Sequence, residues 1–265
     1  MKDPFTIPIE RLPPGFAEQV DHPPAHPAEP KPAATAVLMR DGATAPEILL
    51  LRRHRSSGFV PGAYVFPGGR VDAADQHVAW PGTTEPAPEY WVAAVREVFE
   101  ETGVLLARDA DEQWSTDASS SAELEAWREK LMQGQADLAD VLAGRELTLD
   151  PDALCYIAHW ITPVAEPRRY DTRFFIAALP EGRNAAPDER EMTDMLWLSP
   201  RDALARFEEG RLPMVFPTVR TLQLLAPFRT VSEVFNAFRN RVIEPVLPRL
   251  VRSGNGVGIV VDQDE

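Results

Sequence analysis

Residues 96–104, Arg96-Glu97-Val98-Phe99-Glu100-Glu101-Thr102-Gly103-Val104, constrain this chain more than any other stretch. At helical spacing Glu97, Glu100 and Glu101 share one face, because i, i+3 and i+4 neighbours line up. Trp91, Val95 and Val98 fall on the opposite face, the expected buried side, and Gly103 is the expected stop. Three carboxylates on one turn repel one another. At a separation of ~5 Å each pair costs roughly 1 kcal/mol when hydrated and about 3 kcal/mol when half-buried. A hard divalent cation reverses that sign, since such ions take oxygen ligands and magnesium is held by a few carboxylates plus waters and phosphates. Read alone, a Glu-x-x-Glu-Glu cluster is a solvated helix face, so its neighbours in the chain decide its meaning.

Upstream stands Phe66-Pro67-Gly68-Gly69-Arg70-Val71-Asp72, strand-like and then a tight glycine turn, with Asp75 shortly after. Adjacent glycines let a backbone approach a ligand closely, so a main-chain carbonyl there can join carboxylates around a cation. The combination resembles the box of the Nudix hydrolases: Gly, five residues, Glu, seven residues, then Arg-Glu-aliphatic-x-Glu-Glu-x-Gly-aliphatic. Arg96 to Val104 meet every specified position of the second half, and Gly69 starts the first. There are two departures. Asp75 stands where the family has Glu, and 20 residues (76–95) separate it from Arg96 instead of seven. Pro81, Gly82, Pro86 and Pro88 predict that the excess is a surface loop.

The whole chain narrows the reading further. Its 265 residues suffice for one domain with appendages. No run of 18 apolar residues predicts a membrane span, and no basic segment followed by an apolar run predicts a secretory signal. The lone Cys155 excludes an internal disulfide and a cysteine-based zinc cluster; it reads as an ordinary buried thiol in a cytoplasmic protein. A net charge of −14 argues against a nucleic-acid-binding surface. For an enzyme of anionic phosphates, that charge requires local compensation by cations and arginines. Arg52, Arg53, Arg55 and Arg70 cluster near the glycine turn, although each also reads as a solvated strand-end charge.

Along the chain, residues 1–31 are proline-rich and read as an extended or disordered arm. Residues 32–245 form the expected main domain, and 246–265 a tail with an edge strand at 257–261 or none. Strands are predicted at 34–39, 47–52, 63–66, 154–162, 172–179 and 191–198. Helices are predicted from Ser199-Pro200 onward, at 218–225 and at 231–239. Between about 108 and 150 lies a helical insert: Ser119-Ser120-Ser121 suits an N-cap, and Leu124, Trp127 and Leu131, then Leu138, Val141 and Leu142, recur at helical spacing. The insert reads as a packing elaboration, with a wall for one arm of the substrate as its functional alternative. The fold class is α/β, and the resemblance implies an α/β/α sandwich with a mixed sheet plus extra C-terminal helices.

The same resemblance implies chemistry. Glu97, Glu100 and Glu101 would ligate Mg2+ or Mn2+ with the Gly68 carbonyl, and Arg96 would orient Glu97. The general base is Glu97 or Glu191, the latter in the acidic loop Asp188-Glu189-Arg190-Glu191. Leu49-Leu50-Leu51-Arg52-Arg53, the run Arg55 to Gly69 and the prolonged box are similar to the coenzyme A and acyl-CoA diphosphatase branch, over roughly 33–226. The second arginine of that branch's motif falls at Gly58, with Arg55 three residues away. That branch cleaves the CoA diphosphate to 3′,5′-ADP and (acyl-)phosphopantetheine. Arg52, Arg53, Arg55 and Arg70 would pair with substrate phosphates, and Phe59 or Tyr64 would stack on adenine unless they are plain core residues. The expected partner is therefore a small CoA-like nucleoside diphosphate derivative, with a homodimer as the candidate assembly. The alternatives are hydrolysis of ADP-ribose or another nucleoside diphosphate derivative, and a non-catalytic ligand sensor.

Overall fold

The unbroken apolar run Ile48-Leu49-Leu50-Leu51 demands cover on both faces, and all four side chains are fully buried. The computed structural model, which describes residues 5–55, 61–111, 118–188, 190–254 and 256–261, sets this run inside a layered α/β molecule. In chain order, β1 (Ile7–Pro8) and α1 (Phe16–Asp21) precede β2 (Lys31–Asp41), β3 (Pro46–Arg53), β4 (Tyr64–Val65) and β5 (Gly68–Arg70). Helix α2 (Pro88–Thr102) follows, then β6 (Ala107–Arg108), α3 (Ala118–Met132), α4 (Leu138–Arg145) and β7 (Thr148–Leu149). Next come β8 (Leu154–Ile161), β9 (Tyr170–Ala178), β10 (Met192–Leu198), α5 (Pro200–Glu208), α6 (Phe216–Leu225) and α7 (Val231–Phe238). Short strands β11 (Pro245–Val246), β12 (Arg249–Ser253) and β13 (Gly256–Val260) end the described chain.

The main sheet runs β10-β3-β2-β9-β8-β11, with β4 added to β3 and β5 to β2. It is mixed: β2 is parallel to β9 and β8 to β11, while the other pairs are antiparallel. Strand alternation divides the apolar run between two cores. Leu49 and Leu51 pack with Trp91, Val95 and Val98 of α2, whereas Ile48 and Leu50 pack with Leu222 of α6 and Val234 of α7. Helices thus cover both faces, the expected α/β/α sandwich.

The excess in the box is a loop, as expected, while two other local expectations need correction. Of the residues between Asp75 and Arg96, Pro88 to Val95 belong to α2, so the loop proper is 78–87. Its Trp80 stacks on Trp91 at 5.1 Å, which ties the loop to the helix. The insert is a helical pair closed at its neck by β6–β7, but α3 begins at Ala118, so the three serines lie inside its first turn rather than ahead of it. Within the tail, Gly256–Val260 is neither loose nor an edge. Strand β13 sits between β1 and β12 in a separate three-stranded sheet, and Asp21 of α1 pairs with Arg252 at 2.6 Å. The N-terminal arm, with Phe16 buried, packs against the tail that the sequence alone left unattached.

Candidate active site

Helix α2 starts with Pro88 at its first position and ends at Gly103, whose φ of 72° is left-handed and whose amide donates to the Phe99 carbonyl at 2.9 Å. Its acid-bearing face is largely buried as well, because β5 and the insert cover it; Glu97 is 9% exposed and Glu101 5%, while Glu100 is partly exposed. The Gly68 amide donates to Glu101 Oε2 at 3.1 Å. At Gly69 a side chain would overlap the Glu97 carboxylate, so glycine there is what lets the acid lie against the turn. At Gly68 a Cβ would meet the Ala34 carbonyl and Thr35 Oγ1, each at 2.6 Å, because β5 is pressed onto β2.

Arg96 is the hub. Its Nε and Nη2 donate to the two oxygens of Asp75 at 2.9 and 3.0 Å, Nη1 reaches Glu97 Oε1 at 2.8 Å and Glu100 Oε2 at 3.3 Å, and Nη2 also donates to the Arg70 carbonyl at 2.7 Å. Asp75 arrives by a tight turn at Ala73–His77, capped reciprocally by Asp72, whose amide donates to Asp75 Oδ2 at 2.8 Å. The shorter acid and the longer box therefore still deliver a carboxylate to the arginine.

Three acids hydrogen-bond to this guanidinium, and burial works against the charge of the three glutamates of α2. Burial pushes the Glu97 carboxyl up to about 7, against the pull of Arg96. It raises Glu100 despite Arg96 as well. Glu101 is raised well above the ordinary carboxylate range, by burial first and the Glu97 charge next, with the Gly68 amide and Arg53 opposing. Burial alone would lower the Arg96 value, but Asp75, Glu97 and Glu100 outweigh it and keep the guanidinium charged. Among the described residues no three acidic, histidine or cysteine side chains already surround one point as metal ligands. Arg96 spans Glu97 and Glu100, and the Gly68 amide holds Glu101. The donor set nevertheless suits a hard cation: buried carboxylate oxygens in excess of positive charge, beside a turn without side chains.

The arginines predicted to bind substrate separate. Along β3, Arg53 continues the series of Leu49 and Leu51 onto the α2 side, where its charge acts on Glu101. Arg52 continues that of Ile48 and Leu50 onto the opposite side, its guanidinium 5.8 Å from the Tyr64 ring. Tyr64 is itself a core residue there, donating to Asp194 Oδ2 at 3.2 Å. Arg55 is exposed, and Phe59 lies outside the described residues. The Arg70 side chain is exposed too; its carbonyl is the part that meets Arg96. Glu191 just precedes β10, its amide donating to Asp188 Oδ1 at 3.1 Å, and its charge acts on Glu101. Cys155 is buried, and burial pushes its thiol up to about 11.

Two further groups escaped the sequence reading. Arg173 stands on the α2 side of β9, paired with Asp171 at 2.5 Å and 4.2 Å from the Tyr90 ring. It neighbours Ala34, which neighbours Gly69, so it lies two strand spacings, about 10 Å, from the turn. His159 also contacts Asp171. The only sequence signal was alternation with Phe175. Arg128 of the insert is buried against the end of α2, donating from Nε to the Glu100 carbonyl at 2.8 Å.

Comparison with known proteins gives the family and the fold. The NUDT19 Nudix domain profile matches residues 87–225, and the NUDIX domain profile residues 29–130. Human acyl-coenzyme A diphosphatase NUDT19 is 28% identical over 267 positions, covering 82% of this chain and 71% of that protein. Its Xenopus laevis namesake is 26% identical over 246 positions, covering 75% and 64%, so the chain spans about two thirds of these relatives. The crystal structure of a NUDIX hydrolase from Alicyclobacillus acidocaldarius superposes with a TM-score of 0.71 at 29% identity, over 81% of this chain and 99% of that one. With a buried acid-bearing helix, a glycine turn against it and a family profile spanning just over half of its length, the chain belongs to the Nudix hydrolase family.

Proposed function

We propose that the protein hydrolyses the diphosphate linkage of coenzyme A or acyl-CoA, giving 3′,5′-ADP and (acyl-)phosphopantetheine. The observation that carries the reaction class is the packing of Glu101 against Gly68 and of Glu97 against Gly69, with Arg96 between Asp75, Glu97 and Glu100. The substrate assignment rests on the acyl-coenzyme A diphosphatases among its relatives.

In this reading Glu97, Glu100, Glu101 and the Gly68 carbonyl hold Mg2+ or Mn2+. A divalent ion supplies a more acidic water and neutralises charge on phosphoryl oxygens. The chain's own residues do the rest. Arg96 fixes Glu97, which takes the proton of the attacking water, with Glu191 the other acid on the same side. The water oxygen bonds to phosphorus as the bridging P–O bond breaks, and Arg53 faces the departing phosphate's charge. Arg52, turned to the other face of the sheet, is left out. Residues 32–245 are the proposed catalytic unit, in a cytoplasmic setting; among the described residues no helix is long and apolar enough to cross a membrane.

A substrate panel with Mg2+ or Mn2+ tests the assignment. Release of 3′,5′-ADP from CoA or an acyl-CoA should exceed AMP release from ADP-ribose by at least about tenfold in kcat/KM. The reverse order rejects the substrate class, and no hydrolysis of any panel member rejects catalysis in favour of ligand sensing.

A further inference from the structure

The last turn of a helix leaves carbonyls without intrahelical partners, and positive charge is favoured there. In α2 that turn holds the catalytic acids, and its partners come from elsewhere in the chain. Arg128, 3% exposed on α3 of the insert, donates from Nε to the Glu100 carbonyl at 2.8 Å and from Nη2 to the Ala186 carbonyl at 3.2 Å. The Ala186 amide donates in turn to the Thr102 carbonyl at 2.9 Å. Two residues on, Asp188 Oδ1 accepts from the amides of Arg190, Glu191 and Met192 at 3.1, 3.1 and 2.8 Å, which sets Glu191 at the mouth of β10. Arg128 thus lies between the helix that carries Glu100 and Glu101 and the loop that carries Glu191. Glu125, on its own helix, takes its remaining nitrogen at 3.3 Å.

We infer that Arg128 is a positioning residue for hydrolysis: the insert clamps the acid-bearing end of α2 to the Glu191 loop through one buried guanidinium. This rests on the acids serving as proposed above. A planar fork can bridge two carbonyls from two segments, which an ammonium cannot do with the same geometry. The insert's part in the reaction is therefore to hold acids in place, apart from any contact with substrate.

The test uses the full chain carrying Arg128→Met, Arg128→Lys or, as a control that loosens the insert away from α2, Arg145→Met, which removes the Arg145–Glu123 pair. Three readouts are needed: kcat and KM, Mn2+ affinity by calorimetry, and melting temperature. Arg128→Met should lower kcat at least about tenfold with KM within about twofold and weaken Mn2+ binding several-fold; Arg128→Lys should recover part of both. Combined with Glu191→Gln, its kcat loss should be less than multiplicative, because both act on one unit. Unchanged kcat and Mn2+ affinity despite a lower melting temperature overturn the inference, as does an equal kcat loss in Arg145→Met. Should Arg128→Met not fold, the kcat and Mn2+ affinity of Arg128→Lys decide in the same sense. Should the wild type hydrolyse nothing on the panel, the proposed function fails while Mn2+ affinity still decides the role of Arg128.

Discussion

Asp75 and Arg96, 21 residues apart, form a two-pronged ion pair in which Oδ1 meets Nε at 2.9 Å and Oδ2 meets Nη2 at 3.0 Å, with Asp75 only 1% exposed. Removing one partner of a buried pair strands the other charge, at a cost of about 3–5 kcal/mol. Arg96 keeps Glu97 and Glu100, so Asp75→Asn should fall near the lower end, ~3 kcal/mol by chemical denaturation. It should also lower kcat, because the guanidinium then swings toward the remaining acids. Wild-type stability and kcat in Asp75→Asn would show that the pair is incidental.

The two glycines of the turn should fail differently. A methyl at Gly68 meets backbone of β2, which cannot yield cheaply, so Gly68→Ala should destabilise by about 1–3 kcal/mol. The nearest atoms a methyl at Gly69 meets are those of the Glu97 carboxylate, the end of a flexible side chain. Gly69→Ala should therefore keep its melting temperature within a few degrees and lose most of its kcat. Loss of stability in both, with activity per folded molecule unchanged, would break the link between the turn and Glu97.

What was legible in the sequence follows from periodicity. The acid face of α2, its glycine stop and the β3 run could be read because side chains at period 3.6 or 2 report their own orientation. Alternation also separates Arg52 from Arg53, yet sequence proximity to the box had grouped them. The pairing of Arg96 with Asp75 and the partners of Arg128 were out of reach for another reason. Each depends on a capped turn, a loop or an insert helix folding back over many residues, and no local pattern encodes that distance. The pairing of the N-terminal arm with the tail was hidden in the same way; proline content alone argued for an unattached segment.

The separation of Arg52 from Arg53 gives a direct kinetic comparison. Arg53→Met should raise KM or lower kcat for the diphosphate substrate by about tenfold, the effect of ~1.4 kcal/mol. Arg52→Met, on the far face beside Tyr64, should leave both within about twofold. Equal losses in the two variants would mean that substrate reaches both faces of β3.

Cys155 offers a pH test away from the site. Burial holds its thiol at about 11 against an ordinary 9, with Arg239 pulling weakly the other way. Below pH 9 the folded and unfolded chains both keep the proton. As pH rises from 9 toward 11 only the unfolded chain loses it, so that part of the stability disappears across this window. At pH 8 a thiol reagent should react only as fast as the protein opens, with added urea speeding it in proportion to the unfolded fraction. Immediate labelling of the native protein would contradict the buried placement.

Cation binding gives the sharpest signature, because the same carboxylates that would hold the ion burden the protein without it. A ligand present at 100 times its Kd stabilises by about 2.7 kcal/mol. At roughly 2–4 °C per kcal/mol for a chain near this size, Mn2+ or Mg2+ should raise the melting temperature by about 5–10 °C. Glu101→Gln keeps an oxygen to accept from the Gly68 amide but removes a charge that burial disfavours. Its metal-free form should melt at or above the wild-type temperature, while the cation-induced rise largely vanishes. A variant that melts lower without metal yet gains the full increment with it would place the ion elsewhere and leave Glu101 a packing residue.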